Sequence, residues 1–280
     1  MQIIQKRKWF YILSLLVIIP GMVSLVMQGL NLGIDFSGGS ILHIRMDASV
    51  TAAEVREVLG TLDLGNADVQ KSGDEFYIRT HELDQKETNN IMENLREEFE
   101  KVEFLSAESV GATIGNELTR NALFALLIAG VLMLLYITFR FEWTFGVAAI
   151  VAIIHNVLVV LGLFSIFQWE VSSAFIAALL TVIGYSINDT IVIFDRVREN
   201  MRANKREEYM SLLNRSIMQS LTRSINTVLT SAFCLILLLL FGGTTIKLFV
   251  LAMLLGFAVG AYSSIFIASP IWYELKKSRA

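Results

Sequence analysis

Six apolar runs, each close to the roughly twenty residues a helix needs to cross a bilayer, decide most of what this chain can fold into. They lie at about 9–30, 121–139, 144–167, 173–194, 221–241 and 246–270. Inside hydrocarbon every backbone N–H and C=O must be satisfied within its own segment, so runs of this kind are helical. Hydrophobic residues make up 54% of the chain, more than a soluble domain carries. The connections at 140–143, 168–172 and 242–245 are so short that the helices they join must be antiparallel neighbours. The expected fold is a membrane α-helical protein of six transmembrane helices. Residues 1–30 hold the first, 120–194 the second to fourth, and 221–270 the fifth and sixth. Lys6-Arg7-Lys8 ahead of the first run looks like the basic start of a signal peptide. The run is longer than a typical h-region and no A-x-A-like site follows, so an uncleaved span, kinked at Pro20-Gly21, is expected.

Residues 31–119 have a different character: charge, alternation and helical periodicity replace the apolar run. Ile41 to Met46 alternates like a strand. Thr51 to Leu62 has helical spacing, with Thr51 a candidate N-cap and Glu54 completing a capping box. Ala67–Lys71 and Glu75–Arg79 read as a hairpin about Ser72-Gly73-Asp74, Asp84 to Lys101 as a second helix, and Val102 to Leu105 as a closing strand. The order β-α-β-β-α-β is that of an α+β ferredoxin-like domain between the first and second spans. His43 and His81 lack metal-ligand spacing, so no metal site is expected. The glycine-rich Gly33 to Gly39 lacks the Lys-Ser/Thr of a P-loop and reads as a turn needing positive φ. Val110 to Arg120 leads into the second span.

Charge gives orientation. Arg196, Arg198, Arg202, Lys205, Arg206 and Arg215 lie in the basic loop 195–220, and Lys276, Lys277 and Arg279 in the tail 271–280. With Arg140 and the N-terminal cluster they share one side if the spans alternate. The positive-inside rule places that side, and both termini, in the cytoplasm and makes 31–119 extracytoplasmic. The same loop suits anionic lipid. A net charge of −3 gives no argument for nucleic acid. Cys234, the single cysteine, excludes an intrachain disulfide and reads as a small buried hydrophobe.

The run at 173–194 carries Asn188, Asp189 and Thr190 before Ile191-Val192-Ile193-Phe194 and the charged exit. A carboxylate at that depth costs about 2.5–3.5 kcal/mol and marks a functional site by default. Arg223, near the start of the next run, is the expected partner, forming either a proton-responsive pair or a static one that locks two helices. Thr181, Tyr185 and Asp189, spaced by four, share a face with Asn188 beside it; Arg223, Asn226, Thr227 and Thr230 form a similar stripe. Two such stripes suggest a polar seam, or hydrogen-bonded glue between helices. His155 in the third span either relays protons to Asp189 or is a neutral histidine bonded to a neighbouring helix. Gly256 and Gly260 form a G-x-x-x-G for close helix contact.

GYSINDTIVIFDRVREN at 184–200, LGIDFSGG at 32–39, VGATIGNEL at 110–118 and the polar start of the fifth span around Arg223 together resemble, in order, the SecF side of the SecD/SecF protein-export family, within the resistance–nodulation–division superfamily. The resemblance runs from the first span to the C-terminus. It implies a non-enzymatic, cofactor-free, multi-pass subunit in a bacterial cell (inner or plasma) membrane that uses the proton gradient to assist Sec-dependent translocation. The implied partners are SecD, the SecYEG translocon, YajC, the unfolded polypeptide in transit, membrane lipid and protons. Where related sequences often have His-Asp, this one has His155-Asn156, so a second carboxylate is missing from any relay. The pair Asp189–Arg223 alone would equally suit a small-molecule or ion antiporter of the same superfamily, or a passive scaffold. The absence of a Walker-type loop leaves nucleotide hydrolysis to another component.

Overall fold

The computed structural model describes residues 2–204 and 206–277; Lys205 and Arg279 of the basic segments lie outside them. The chain divides into two compact units. One comprises the residues up to Asn31 and those from Leu123 onward, the other Leu32–Ala122.

In the second unit β1 (Gly39–Met46) is followed by α1 (Ala52–Gly60), the hairpin β2 (Asp68–Ser72) and β3 (Glu75–Thr80), α2 (Gln85–Glu98) and β4 (Val102–Val110). The strand order is β2-β3-β1-β4, antiparallel throughout. The alternation of β1 sends Leu42, Ile44 and Met46 to one face, where they meet Val55 and Leu59 of α1, Phe76 and Ile78 of β3, and Ile91 and Leu95 of α2. Both helices start in full capping boxes, Thr51 with Glu54 and Asp84 with Glu87. The closing strand is longer than its apolar pattern suggested, because β4 stays paired to β1 out to Val110.

The segment before β1 makes one helical turn, Ile34–Ser37, and then Gly38 and Gly39 at φ 73° and 124°. A Cβ on Gly39 would stand 2.5 Å from the Thr80 carbonyl oxygen. The double glycine is therefore required by both backbone sign and backbone approach.

The first unit holds helices at Ile4–Met27, Trp143–Ile166, Ser173–Ala203, Tyr209–Phe241 and Lys247–Lys277 and most of another, Ala112–Arg140. These are six helices long and apolar enough to cross a membrane, and the protein is a multi-pass helical membrane protein. The third, fourth and sixth spans form the inside of the bundle, whereas the first, second and fifth leave most of their surface open. Small residues set the closest approaches. A Cβ on Gly21 would stand 2.7 Å from Cα of Gly162, Gly256 abuts Val182, and Gly260 abuts Ser186. The sixth span contains a π-helical turn at Ser264–Ala268, where Ser269 Oγ donates to the Ser264 carbonyl at 3.0 Å.

Two expectations change. Residues 195–220 are not a loop: the fourth helix runs on to Ala203 and the fifth begins at Tyr209. Arg196, Glu199 and Arg202 are exposed on the extension of the fourth helix. Val197, Asn200, Leu212, Leu213 and Ile217 are buried, beside a cluster of Phe145, Phe194 and a fully buried Trp272. Charge marked the end of the membrane, not the end of the helix. The tail is likewise helical to Lys277. Cys234 is exposed, not buried, because the fifth span is peripheral and that residue lies on its open side.

Candidate functional site

Asp189 lies on the inner side of the fourth span, 7% exposed. Its Oδ1 accepts a hydrogen bond of 2.6 Å from Ser224 Oγ of the fifth span. Its Oδ2 is buried and has no hydrogen-bond partner. Within the polar stretch Thr190 Oγ1 donates back to the Ser186 carbonyl at 3.1 Å, which satisfies the hydroxyl inside its own helix.

The ion pair expected between Asp189 and Arg223 is not formed. The fourth and fifth spans are neighbours, but Ser224 is the residue that faces the carboxylate. One residue along an α-helix is a rotation of about 100°, which turns Arg223 onto the exposed side. The two expected polar stripes divide in the same way. Tyr185 OH donates to the Thr227 carbonyl at 2.7 Å, lies 3.2 Å from Ser231 Oγ and stacks on Phe257 with centroids 3.9 Å apart. Thr181, Asn188, Asn226 and Thr230 are exposed. The hydroxyls of Thr227 and Thr230 turn back onto carbonyls of their own helix. The sequence period placed these residues on roughly the right arc but could not say which of two adjacent positions meets the neighbouring helix.

His155 does not reach Asp189. Its Nε2 lies 3.0 Å from Ser14 Oγ of the first span and its Nδ1 3.1 Å from Asn156 Oδ1. Ser14 continues to Tyr262 OH at 3.2 Å, which donates to the Phe10 carbonyl at 2.8 Å. Asn156 Nδ2 donates to Ser186 Oγ at 2.7 Å, and Thr190 Oγ1 lies 2.8 Å from Ser264 Oγ at the π turn. The geometry is that of a histidine bonded to a neighbouring helix, here the first span through Ser14. The resulting chain of polar groups ties the first, third, fourth and sixth spans together, while Asp189 faces the fifth.

Ser224, Ser186, Ser14, Tyr262 and Ser264 were not visible as site residues in the sequence. In an apolar run a serine reads as a small helix-packing residue, and only the neighbouring helix reveals its bond.

Comparison with known proteins agrees with this architecture. The chain matches the family model for the protein export membrane protein SecD/SecF C-terminal region over residues 90–278 and that for the SecD/SecF GG motif over 23–50, the stretch holding Gly38 and Gly39. It is 44% identical to the protein translocase subunit SecF of Acidaminococcus fermentans, with 98% of this chain and 97% of that protein aligned. It is 39% identical to the protein translocase subunit SecDF of Bacillus subtilis, covering 98% of this chain and 39% of that one. The crystal structure of SecDF, a translocon-associated membrane protein from Thermus thermophilus, superposes with a TM-score of 0.93 at 36% identity over 99% of this chain, which spans 39% of that one. On these matches the chain belongs to the SecD/SecF family of protein export membrane proteins.

Proposed function

We propose that this chain is the SecF-type subunit of a SecD–SecF complex that uses the proton gradient to assist Sec-dependent protein translocation, with Asp189 as the group that takes up and releases the proton. The observation that carries this reading is a buried carboxylate in an apolar span with one oxygen on Ser224 and the other without a partner. An ionised group so placed is costly, and neutralisation by a proton removes that cost. Oδ2 is then free to receive the proton while Oδ1 keeps its bond to the fifth span. The charge change alters the seam between the fourth and fifth spans, held otherwise by Tyr185 on Thr227. Each charge crossing the field gains about 2.3 kcal/mol per 100 mV.

The relatives named SecDF carry a longer chain of which this one matches 39%, which supports a SecD half as partner and the translocon as the associated machine. The exposed polar residues Asn188, Arg223 and Asn226 would need cover within a membrane, and in this reading they face that partner. His155 ties the third span to the first through Ser14, Asn156 ties it to the fourth through Ser186, and in this reading neither relays the proton. The unit Leu32–Ala122, with its β2-β3-β1-β4 order, is read as a ferredoxin-like domain outside the cytoplasm. The basic flanks support a topology with both termini inside.

The test is gradient-stimulated export of a secreted reporter by membrane vesicles carrying Asp189→Asn, with assembly checked by co-purification of the partner. The reading expects assembly to persist and the stimulation to disappear. Normal stimulation in an assembled variant would make Asp189 structural.

A further inference from the structure

Arg140 closes the second span, and Arg198 stands on the extension of the fourth. Their guanidinium carbons lie 5.5 and 5.7 Å from the centroid of one ring, that of Phe141. Arg198 Nη1 also donates to the Arg140 carbonyl at 3.3 Å. Two cations from separate helices are thus held together, and among the described residues neither meets a carboxylate. Their neighbours differ: Arg196 pairs with Glu199 at 2.8 Å, Lys276 with Glu142 at 2.5 Å, Arg7 with Glu274 at 2.5 Å, and Arg215 with Glu207. The platform is firm, because Phe141 is buried against Phe145, which contacts Phe194 and Trp272.

Each cation gains a little from the ring face, but the two repel one another, and the arrangement is complete only with an anion. The position decides which anion. Arg140 is the first charged residue beyond the second apolar run, beside Phe139, 95% exposed, and between the exposed Tyr136 and the half-exposed Trp143, the two residue types enriched where headgroups lie. From there the exposed Tyr136, Leu135 and Leu132 continue along the second span. We propose that Arg140, Arg198 and Phe141 form a binding site for the phosphate of an acidic phospholipid, whose acyl chains lie along the open side of the second span. A planar guanidinium offers paired donors to phosphate oxygens, and the apolar strip continuous with the site favours a lipid over a free phosphate.

The test titrates the purified full-length chain in detergent with dioctanoyl phosphatidylglycerol, with dioctanoyl phosphatidylcholine and inorganic phosphate as competitors, and reads bound lipid by native mass spectrometry. The proposal expects phosphatidylglycerol to bind in preference to both. It expects Arg140→Gln/Arg198→Gln to weaken that binding by about tenfold or more, and Arg196→Gln/Arg215→Gln, which removes the same two charges from paired positions, to leave it within about twofold. Equal binding of phosphatidylcholine, displacement by an equal concentration of inorganic phosphate, or undiminished binding by the double variant would each overturn it. A photoactivatable phosphatidylglycerol on the unmodified chain needs no variant to fold. Labelling of the peptide bearing Phe139 and Trp143 supports the site, and labelling only elsewhere refutes it.

Discussion

The two units solve opposite burial problems with one chain. In Leu32–Ala122 the buried residues are Leu42, Ile44, Leu59, Phe76, Ile78 and their neighbours, and Ser40 and Thr88 are its only buried polar side chains among the described residues. In the membrane unit many Leu, Ile and Phe side chains stay outside, and beside a buried apolar cluster that includes Phe145, Phe194 and Trp272 the polar Ser14, His155, Asn156, Ser186, Asp189, Thr190, Ser224 and Ser264 are inside. The solvent explains the difference. Water drives apolar area inward, whereas lipid tails are as apolar as leucine, so close packing of small residues and hydrogen bonds between helices must hold the bundle. A buried polar residue is thus an exception in the first environment and a structural element in the second. The exception within the second is Asp189, which alone among these groups combines a formal charge with an unpartnered buried oxygen.

The contrast can be broken most sharply by one aromatic truncation in each unit. Phe76→Ala is expected to destabilise the soluble unit by about 3–5 kcal/mol, read by amide exchange in β1 and β3. Phe139→Ala on the open second span should change thermal stability in detergent by less than about 0.5 kcal/mol; a large loss would show that its ring is packed. Next in size is Gly162→Leu, which forces a side chain into the backbone of Gly21. It should cost about 1–3 kcal/mol and separate the first span from the third, detectable as lost cross-linking between cysteines placed on the two.

Smaller effects sharpen the comparison. Asn156→Leu removes the bond to Ser186 and one to His155, an expected loss of about 0.6–2 kcal/mol per bond in thermal denaturation. Thr51→Ala removes a cap in the soluble unit at about 1 kcal/mol, visible as faster amide exchange in α1. The smallest effect is a pH dependence. His43, 3.0 Å from Glu75, holds that carboxyl below its usual range, with Arg45 and Tyr77 helping and burial opposing. A carboxyl depressed in the folded state contributes stability above its unfolded pKa of about 4.3 and loses it as pH falls through the lower folded value. Protection of β1 and β3 should therefore decline below about pH 4 in the parent and decline less in Glu75→Gln.

Legibility in the sequence followed the same division. The element order of the soluble unit and the capping box at Thr51 could be read because alternation and cap chemistry are local. The six spans could be read because an apolar run is local too. The ends of the fourth and fifth helices could not, since Asp195 to Asn200 carries charge on one side and Val197 on the other, and the core that buries Val197 comes from Phe145, Trp272 and Leu213. Asp189 stood out by its cost, but its partner did not. Arg223 and Ser224 are adjacent in sequence, and which of them bonds the carboxylate depends on helix rotation, which a pattern of formal charge does not report.

The most direct test of the central claim is infrared difference spectroscopy of the reconstituted protein between alkaline and acidic buffer. The account predicts a protonated-carboxyl carbonyl band that appears on acidification, is absent in Asp189→Asn and shifts in Ser224→Ala, whose hydroxyl bonds that carboxylate. A band unchanged in Asp189→Asn would mean that the proton is taken up elsewhere, and Asp189 would then be only a buried link between two helices.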